Sequence, residues 1–339
     1  PAHGNARREV RPMILATGGA GFIGSNIAAL LTEQGKRIAI CDEFGHGDKW
    51  KNIARLNPAD IVAPQETLFW LEQHRKDLKG VVHMGAISAT TETDVDLILR
   101  QNYRLSRDLW NFCTSARIPF IYASSAATYG DGTEGFDDDS TLGALARLKP
   151  LNPYGWSKLL FDRFVATEVA NARPTPPQHA GLRFFNVYGP NEYHKGSMKS
   201  VIAHIYPKAA GGEAVTLFRS HNPKYPDGGQ MRDFIYVRDC ADVVAWLLAS
   251  PAVSGLFNVG TGKARSFADL AKAVFAALNR APNIAFVDTP IEIRDKYQYF
   301  TQARMDRLRT AGYTKPLTDL ETGVTDYVTR FLSTSDPYR

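Results

Sequence analysis

The glycine-rich stretch GGAGFIG, residues 18–24, narrows the choice of fold more than any other part of the sequence. It follows an apolar run, MILATGG, that predicts a strand, and it precedes SNIAALLTEQG, which predicts an amphipathic helix. Glycines at Gly18, Gly21 and Gly24 permit a tight turn, a close approach of the backbone to a pyrophosphate, and close packing of the helix on the strand. The pattern therefore predicts a dinucleotide site at the amino-terminal end of a helix, where N–H groups and partial positive charge face the phosphates.

An acidic residue at the end of the next predicted strand supports this interpretation. Asp42 follows Gly24 by 18 residues and lies near the end of the run RIAICDE, where a carboxylate can bind a ribose diol. Such a carboxylate favours NAD, because it would repel the additional phosphate of NADP. Lys49 lies close enough in the sequence to offset that repulsion. The sequence therefore predicts a bound dinucleotide and leaves the choice between NADP and NAD open.

Short apolar runs alternate with amphipathic ones from Met13 onward, which is typical of a parallel sheet covered by helices on both faces. Further strands are predicted within 80–86, 118–125, 179–189 and 255–262, and helices within 97–115, within 239–250, after Pro153 and from Ser266. Past Gly189 loops rich in glycine and proline appear, notably residues 219–230. We therefore predict an α/β fold, a doubly wound parallel (Rossmann) sheet with a smaller mixed α/β substrate-binding lobe.

The predicted domain boundaries follow from where this alternation holds and where it fails. Residues 13–189 and 232–263 are assigned to the dinucleotide-binding Rossmann domain, and residues 190–231 and 264–330 to the substrate-binding lobe. The lobe is expected to close over the carboxyl ends of the strands, where open α/β sheets bind ligands. Residues 1–12 lack the apolar core of a signal peptide and are expected to be a disordered leader.

Composition and charge argue against several other classes of protein. Hydrophobic residues make up 44% of the 339 residues and the net charge of +5 is dispersed, so we predict no binding to nucleic acid. The three cysteines lie far apart and no H-x-x-x-H pair occurs, so we predict neither a disulfide framework nor a metal site. No apolar run of about 20 residues is present. We therefore expect no membrane span and a cytoplasmic location.

The stretch NPYGWSKLLFDRF, residues 152–164, places Tyr154 and Lys158 four positions apart at the start of a predicted helix. Side chains at this spacing lie on one helical face, with their Cβ atoms about 5–6 Å apart. The pair could be a surface contact or a proton-transfer device. A tyrosine with its ordinary pKa of about 10 needs roughly 4 kcal/mol to ionise at neutral pH. A nearby ammonium group lowers that cost.

With the glycine loop, ASSAATYG (residues 123–130) and YGWSK (154–158) in this order, the chain resembles the extended short-chain dehydrogenase/reductase family. The resemblance implies a catalytic group of Ser125, Tyr154 and Lys158. In that family the lysine holds the nicotinamide ribose and lowers the tyrosine pKa, and the serine donates a hydrogen bond to the reacting oxygen. It also implies one nicotinamide cofactor per subunit, retained through turnover.

Within that family the chain is most similar to the ADP-L-glycero-D-manno-heptose 6-epimerases, from about residue 13 to about residue 330. The similarity is densest in TGGAGFIGSN, YASSAATYG, FFNVYGPNEYHKGSM, RDFIYVRD and QYFTQA. It implies inversion of C6 of an ADP-heptose through a transient ketone, for synthesis of the lipopolysaccharide inner core. Lys195 is implied as a second acid/base, across the sugar from Tyr154. A homo-oligomer, specifically a homopentamer, is implied as well.

The resemblance also assigns binding residues. The expected cofactor-binding residues are Gly18, Gly21, Phe22, Ile23, Gly24, Asp42, Glu43, Lys49, Met84, Ala86, Ser88, Gln101, Asn102, Lys158, Val187 and Lys195. The expected substrate-binding residues are Ser88, Asn186, Ser197, His204, Phe218, Arg219, Ser220, Arg232 and Tyr297. Arg232 is expected to bind the diphosphate through bidentate hydrogen bonds.

Three alternatives stay open at this point. A UDP-hexose 4-epimerase would use Tyr154 alone as its base, and the unusually long loop at residues 219–230 leaves the nucleotide and the sugar uncertain. A 4,6-dehydratase usually has an Asp-Glu pair after the active-site Ser or Thr, whereas this chain has Ala126 and Ala127. A non-catalytic dinucleotide sensor would have no need of Ser125, Tyr154 and Lys158 together.

Overall fold

The computed structural model describes residues 12–294 and 298–339. The predicted leader, apart from its last residue, lies outside the described residues. The strands are β1 (Met13–Thr17), β2 (Arg37–Cys41), β3 (Asp60–Val62), β4 (Leu78–His83), β5 (Phe120–Ser125), β6 (His179–Phe184), β7 (Asn186–Tyr188), β8 (Val215–Phe218), β9 (Met231–Tyr236), β10 (Gly255–Val259), β11 (Ala264–Ser266) and β12 (Ile284–Val287).

The helices connect these strands. They are α1 (Phe22–Glu33), α2 (Thr67–Gln73), α3 (Val95–Ile98), α4 (Leu105–Ala116), α5 (Leu142–Arg147), α6 (Pro153–Ala170), α7 (Val201–Gly211), α8 (Val237–Ala249), α9 (Phe267–Ala277), α10 (Ile291–Arg294), α11 (Asp306–Thr310) and α12 (Leu320–Tyr327). Short 3₁₀ turns lie at Lys49–Ile53, Pro64–Glu66, Ala126–Tyr129 and Tyr193–Met198, and π-helical turns at Leu99–Arg104 and Val328–Leu332.

A seven-stranded sheet forms the centre of the part of the chain that the structure describes. Its order is β10, β6, β5, β4, β1, β2, β3, and each neighbouring pair is parallel. The order reverses between β1 and β4, so the chain leaves a crevice at the carboxyl ends of these strands. The predicted fold class, a doubly wound parallel sheet, is confirmed.

Strand β1 shows why this sheet is buried on both faces. All five of its residues are buried. Ile14 and Ala16 point to one face and pack with side chains of α1 and α8, whereas Met13 and Leu15 point to the other face and pack with α4 and α6. Alternate residues of a strand face opposite sides, so a strand covered twice is apolar throughout.

Two smaller sheets lie beyond the central one. Strands β11, β9 and β7 form a three-stranded sheet with both parallel and antiparallel pairs, and β12 pairs with β8 in parallel. Buried apolar side chains of α7, α9 and α12 join these sheets in one cluster. Strands β8, β11 and β12 fall in the segments predicted for the substrate-binding lobe. Strand β7, and β9 after its first residue, fall in the segments predicted for the Rossmann domain. The exact division into domains stays a prediction.

Two predicted elements differ from the observed ones. The helix predicted for 97–115 is divided, because the π-helical turn Leu99–Arg104 separates α3 from α4. The strand predicted for 179–189 is also divided: β6 pairs in the central sheet and β7 pairs with β9. The predicted start of α9 is confirmed, because Ser266 Oγ accepts from the Asp269 N–H at 2.9 Å and the Asp269 carboxylate accepts from the Ser266 N–H.

Three further properties of the described residues bear on function. No helix in 12–294 or 298–339 has the length and hydropathy of a membrane span. Over the same ranges, no group of three or more His, Cys, Asp or Glu side chains is arranged to hold a metal ion. Cys41, Cys113 and Cys240 are free and buried, consistent with small apolar core residues.

Candidate active site

The glycine loop between β1 and α1 is shaped so that side chains would not fit. Gly18 has φ of +61°, and a Cβ there would lie 2.5 Å from the Gly85 nitrogen. A Cβ on Gly24 would lie 2.1 Å from the carbonyl oxygen of Gly18. Glycine at these positions therefore lets the turn pack tightly on Gly85 and on itself. The turn leads into the start of α1, where backbone N–H groups suit the pyrophosphate of a dinucleotide.

A cleft of about 870 Å³ extends from this loop along the carboxyl ends of the central strands. Seventeen of the sequence-predicted site residues line it. They are Gly18, Gly21, Phe22, Ile23, Gly24, Asp42, Lys49, Met84, Ala86, Ser88, Ser125, Tyr154, Lys158, Asn186, Val187, Lys195 and Arg232. The structure thus brings the glycine loop, the Tyr-Lys pair and Lys195 to one cavity, although they come from distant parts of the sequence.

The end of the cleft beside β2 carries an ion pair. Asp42 accepts from the Ala20 N–H at 2.8 Å and pairs with Lys49 Nζ at 2.5 Å, and the Asp42 side chain is only 8% exposed. Lys49 also donates to the carbonyl oxygen of Glu43 at 2.8 Å. The negative charge of Asp42 is therefore balanced by Lys49, the residue that the sequence placed close enough to offset repulsion of the additional phosphate of NADP.

Tyr154, Ser125 and Lys158 meet where β5 ends and α6 begins. Asn152 caps α6 by accepting from the Gly155 N–H at 2.8 Å, and Pro153 occupies the first turn. A Cβ on Gly155 would lie 2.6 Å from the Ala127 carbonyl oxygen. Glycine at this position therefore lets the first turn of α6 approach the segment after Ser125.

The environment of these side chains sets their protonation. Burial raises the pKa of Tyr154, and a hydrogen bond with the Ser125 side chain opposes that rise. Burial lowers the pKa of Lys158 to about 8, and the carboxylate of Asp162 opposes that fall. Lys158 Nζ donates to the Ala123 carbonyl oxygen at 2.7 Å. The net effect leaves the pKa of Tyr154 above its ordinary value, so Tyr154 is a neutral phenol at pH 7.

A buried ion pair lies behind Ser125, Tyr154 and Lys158. Arg183 on β6 donates through Nε and Nη2 to Asp162 Oδ2 at 3.1 and 3.0 Å, and neither side chain has exposed surface. Ser124 donates to the same carboxylate at 2.9 Å. The guanidinium of Arg183 also lies 4.7 Å from the centre of the Tyr129 ring. Our sequence analysis did not assign a role to Asp162 or Arg183.

Lys195 lies in the short turn Tyr193–Met198, which leaves helical geometry at Gly196 (φ +55°). Its Nζ lies 5.4 Å from the ring centre of Phe22, the first residue of α1. Burial lowers the pKa of Lys195, and Glu192 opposes that shift. A lysine with a lowered pKa is better matched to proton transfer near neutral pH.

Glu192, just before this turn, and His194, within it, were not predicted as site residues. Glu192 is buried, and its carboxylate accepts from the Ser200 hydroxyl at 2.6 Å and from the Tyr327 hydroxyl at 2.9 Å. His194 lines the cleft with its Nδ1 3.1 Å from Asn52 Nδ2. Burial, with Lys49 and Lys195 nearby, lowers the pKa of His194 to about 4. These residues stand beside Lys195 in the quoted motif, but their contacts join remote segments.

Several predicted site residues do not line the cleft in the described part of the chain. They are Glu43, Gln101, Asn102, Ser197, His204, Phe218, Arg219 and Ser220. Asn102 is buried. Its Oδ1 accepts from the Ile87 N–H at 2.8 Å, and its Nδ2 donates to the Ile87 carbonyl oxygen at 3.0 Å. His204 Nε2 lies 3.1 Å from the carbonyl oxygen of Ser197. Asn102 therefore supports Ile87, which lines the cleft, and Tyr297 lies outside the described residues.

The long loop at residues 219–230 is held by its own contacts. Arg219 lies within ion-pair distance of Asp227 and Asp288, at 3.9 and 3.3 Å, and Ser220 N–H donates to Asp227 at 2.8 Å. Residues of the loop border a second cavity of about 680 Å³, formed with side chains of α9 and β12. The predicted contacts of Phe218, Arg219 and Ser220 with a substrate stay predictions.

Comparison with known proteins shows which ones this chain resembles. A profile of the NAD dependent epimerase/dehydratase family matches residues 14–260. The ADP-L-glycero-D-manno-heptose-6-epimerase of Nitratidesulfovibrio vulgaris (strain Hildenborough) is 50% identical over 330 residues, which cover 96% of this chain and 100% of that protein. The protein of the same name from Fusobacterium nucleatum is 43% identical over 335 residues, with the same coverage. The resemblance inferred from the sequence is confirmed.

Solved structures give the same result for the fold. The crystal structure of Helicobacter pylori ADP-L-glycero-D-manno-heptose-6-epimerase is 29% identical, covers 96% of this chain and 98% of its own, and superposes with a TM-score of 0.79. A Thermus thermophilus UDP-glucose 4-epimerase in complex with NAD is 24% identical, covers 92% and 96%, and has a TM-score of 0.70. At this second level of identity the likeness concerns the fold alone.

Proposed function

The chain belongs to the NAD dependent epimerase/dehydratase family, and from that premise we propose that it converts ADP-D-glycero-D-manno-heptose to ADP-L-glycero-D-manno-heptose by inverting C6. Relatives that are 43–50% identical over nearly the whole chain carry the name of this activity. UDP-hexose epimerases share the fold at lower identity. The chain is therefore an epimerase, and the names of its relatives favour the ADP-heptose as its substrate.

The observation that carries this proposal is the presence of two acid/base side chains in one cleft. Tyr154 comes from the first turn of α6, and Lys195 comes from the turn before α7. The carbon to be inverted bears a hydroxyl and has no neighbouring carbonyl to acidify its hydrogen. Oxidation to a ketone and reduction from the opposite face avoids direct deprotonation. Each half-reaction then needs a proton moved at the same oxygen from a different side.

The residues of this chain fit the parts of that reaction. A bound nicotinamide dinucleotide supplies the acceptor and donor of the hydride. Tyr154 would take or return the hydroxyl proton on one side of the sugar and Lys195 on the other. Ser125 would donate a hydrogen bond to the oxygen, and the ammonium of Lys158 would lower the pKa of Tyr154. Lys158 is buried and Ser125, Tyr154 and Lys195 are partly buried, so interactions among them are stronger than they would be in water.

We also propose that the cofactor site accepts either NADP or NAD. The glycine loop and the start of α1 fit the pyrophosphate of both. The ion pair of Lys49 with Asp42 offsets the repulsion that the carboxylate would exert on the additional phosphate of NADP. We expect Lys49→Ala to weaken NADP binding more than NAD binding, as measured by calorimetry. Equal losses for the two cofactors would contradict this assignment.

Contacts with the rest of the substrate are assigned in the same way. Arg232 lines the cleft, with its guanidinium 5.6 Å from the centre of the Phe267 ring, and is proposed to bind the diphosphate. Asn186 and Ser88 line the same cleft and are proposed to bind the sugar. From the resemblance we further propose a cytoplasmic homo-oligomer, specifically a homopentamer, that serves synthesis of the lipopolysaccharide inner core. Light scattering on the eluting protein measures its oligomeric state.

The proposed activity is tested by incubating the purified protein with ADP-D-glycero-D-manno-heptose, without added cofactor. The two C6 epimers are then separated by anion-exchange chromatography or distinguished by NMR. We expect an equilibrium mixture of the two epimers. Absence of conversion, with bound cofactor demonstrated by its absorbance after denaturation, would refute the heptose assignment. It would direct the search to UDP-sugars.

Two variants test the pair of acid/base groups. Tyr154→Phe and Lys195→Ala are each expected to lower kcat by about 10²–10⁴-fold. The matched control is Lys208→Ala, an exposed lysine in the last turn of α7, which is expected to keep full activity. A UDP-hexose 4-epimerase would need Tyr154 alone. Nearly full activity of Lys195→Ala therefore argues for that alternative.

A further inference from the structure

Residues 334–339, here called the C-terminal strap, take no part in the mechanism above, yet they lie against elements that border the cleft. Arg55, just after the 3₁₀ turn Lys49–Ile53, donates to the carbonyl oxygen of Tyr338 at 2.9 Å and pairs with Asp336 at 2.5 Å. Lys51 Nζ lies 5.9 Å from the ring centre of Tyr338. The strap is thus attached to the segment that carries Lys49.

The strap also contacts helix α1, the helix that begins at the glycine loop. The Arg339 guanidinium donates to the carbonyl oxygen of Asn26 at 3.3 Å and pairs with Glu33 at 3.2 Å. The Arg339 side chain is only 14% exposed, although the Glu33 side chain is 62% exposed. The Arg339 side chain therefore lies along α1 and is mostly buried.

The third set of contacts reaches the segment that leads to Lys195. The Tyr193 hydroxyl donates to the carbonyl oxygen of Pro337 at 2.8 Å, and the rings of Tyr193 and Tyr338 pack edge to face with centres 5.2 Å apart. The backbone N–H of Arg339 donates to Asn191 Oδ1 at 2.9 Å. The strap therefore contacts Asn191 and Tyr193, and Tyr193 lies two residues before Lys195 in the sequence.

Asn191 is the point at which strap, α1 and this segment meet. It is fully buried and has φ of +75°, a conformation that costs free energy for a residue other than glycine. Its Nδ2 donates to the Ser25 hydroxyl on α1 at 3.0 Å, while its Oδ1 accepts from the strap. The conformation of Asn191 is thus held from both sides.

Together these contacts connect the strap, helix α1 and the turn that carries Lys195. Lys195 Nζ lies over Phe22 at the start of α1, and the turn that carries Lys195 is attached to α1 through Asn191 and to the strap through Tyr193. We propose that the C-terminal strap is a positioning segment for Lys195, which fixes the turn Tyr193–Met198 against α1 so that the amine meets the reacting oxygen. The proposal rests on the role of Lys195 in the proposed function.

A role in overall stability explains the strap less well. None of the residues 334–339 belongs to the buried apolar clusters of the part of the chain that the structure describes. Residues 334–336 are exposed and residues 337–339 are partly buried. Loss of the strap therefore removes little buried apolar surface. It does remove the two hydrogen bonds and the ring contact that join the strap to Asn191 and Tyr193.

The test is a chain that ends at Ser333, compared with the full chain alone and in the Lys195→Ala background. We expect kcat to fall by about 10–100-fold in the shortened chain, because misplacing a catalytic group by about 1 Å can cost about 10²-fold. Cofactor affinity should change by less than about twofold, and in the Lys195→Ala background removal of the strap should lower kcat by less than about twofold. Additive losses in the two backgrounds would overturn the proposal.

Hydrogen exchange supplies a readout that needs no substrate. We expect amides of residues 191–198 to exchange faster in the shortened chain while those of α8 are unchanged. Unchanged exchange at residues 191–198 would overturn the proposal. Should the full chain fail to convert the ADP-heptose, the proposed function fails, and the exchange result still decides whether the strap holds this segment.

Two side-chain variants cover the case in which the shortened chain does not fold. Arg55→Ala removes the hydrogen bond to Tyr338 and the ion pair with Asp336. Arg339→Ala removes the attachment of the strap to α1. Each is expected to lower kcat in the same direction, by less than the shortened chain, and to have no further effect with Lys195→Ala. The matched control is Arg330→Ala, which removes an exposed arginine that pairs with Asp326 and is expected to leave kcat unchanged.

Discussion

Asp162→Asn should destabilise the protein strongly, because it leaves the buried guanidinium of Arg183 without its counter-ion. Both side chains have no exposed surface, and Arg183 donates twice to the Asp162 carboxylate. Asparagine keeps nearly the same volume and keeps an acceptor for the Ser124 hydroxyl, so the main change is the loss of one negative charge. The variant thus tests the charge and not the packing.

The expected loss can be worked out from the burial of the pair. Removing one partner of a fully buried ion pair costs about 3–5 kcal/mol in the free energy of unfolding. An unfolding entropy of about 2.1 cal/mol/K per residue amounts to roughly 0.7 kcal/mol/K for a chain of this length, so the Tm should fall by about 4–7 °C. Adding Arg183→Met removes the unpaired charge as well. The double variant should return to within about 1 kcal/mol of the parent protein.

The assay is thermal unfolding followed by circular dichroism, with urea unfolding as a second measurement. The matched control is Asp137→Asn, which breaks the surface pair with Arg304, where the side chains are 48% and 62% exposed. That variant should lose less than about 1 kcal/mol. A single variant Asp162→Asn within about 1 kcal/mol of the parent, or a double variant no more stable than the single one, would refute the reasoning.

Three more results are expected. Gly24→Ala should abolish cofactor binding in a calorimetric titration, because its Cβ would lie 2.1 Å from a backbone oxygen of the glycine loop, whereas Gly143→Ala, which has no neighbour within 4 Å, should bind normally. Cofactor binding and kcat should fall as pH rises through about 8, because Lys158 then loses the proton whose charge the site needs, and activity constant up to pH 10 would contradict this. Ser266→Ala should lower the free energy of unfolding by about 1 kcal/mol in urea, because it removes the cap of α9, and an unchanged midpoint would show that the cap adds nothing.

The parts of the molecule that sequence predicted well are set by short-range spacing. The glycine loop is specified by three glycines within seven residues, and the pair Tyr154 and Lys158 by one turn of a helix. The start of α9 follows from Ser266 and the acidic residue three positions later, which close a capping box. In each case the residues that interact lie within a few positions of one another, so a single stretch of sequence contains the information.

The parts that sequence missed depend on contacts between distant segments. Asp162 and Arg183 belong to different elements, and nothing in either stretch indicates that the two side chains would meet. Strand β3 has only three residues, too few for a period to be recognised. The π-helical turn Leu99–Arg104 adds a residue to a helical turn within an otherwise regular pattern. Position in three dimensions, and not local preference, decides these features.

The place of the strap in the chain has a consequence for the order in which the enzyme is made. Residues 334–339 follow the glycine loop, Tyr154, Lys158 and Lys195 in the sequence. The residues of the cofactor site therefore leave the ribosome before the strap has been synthesised. On the role proposed for the strap, a chain interrupted at residue 333 would take up cofactor and still be a poor catalyst. On the same role, a protease that cuts the chain before residue 334 would lower its activity without unfolding it.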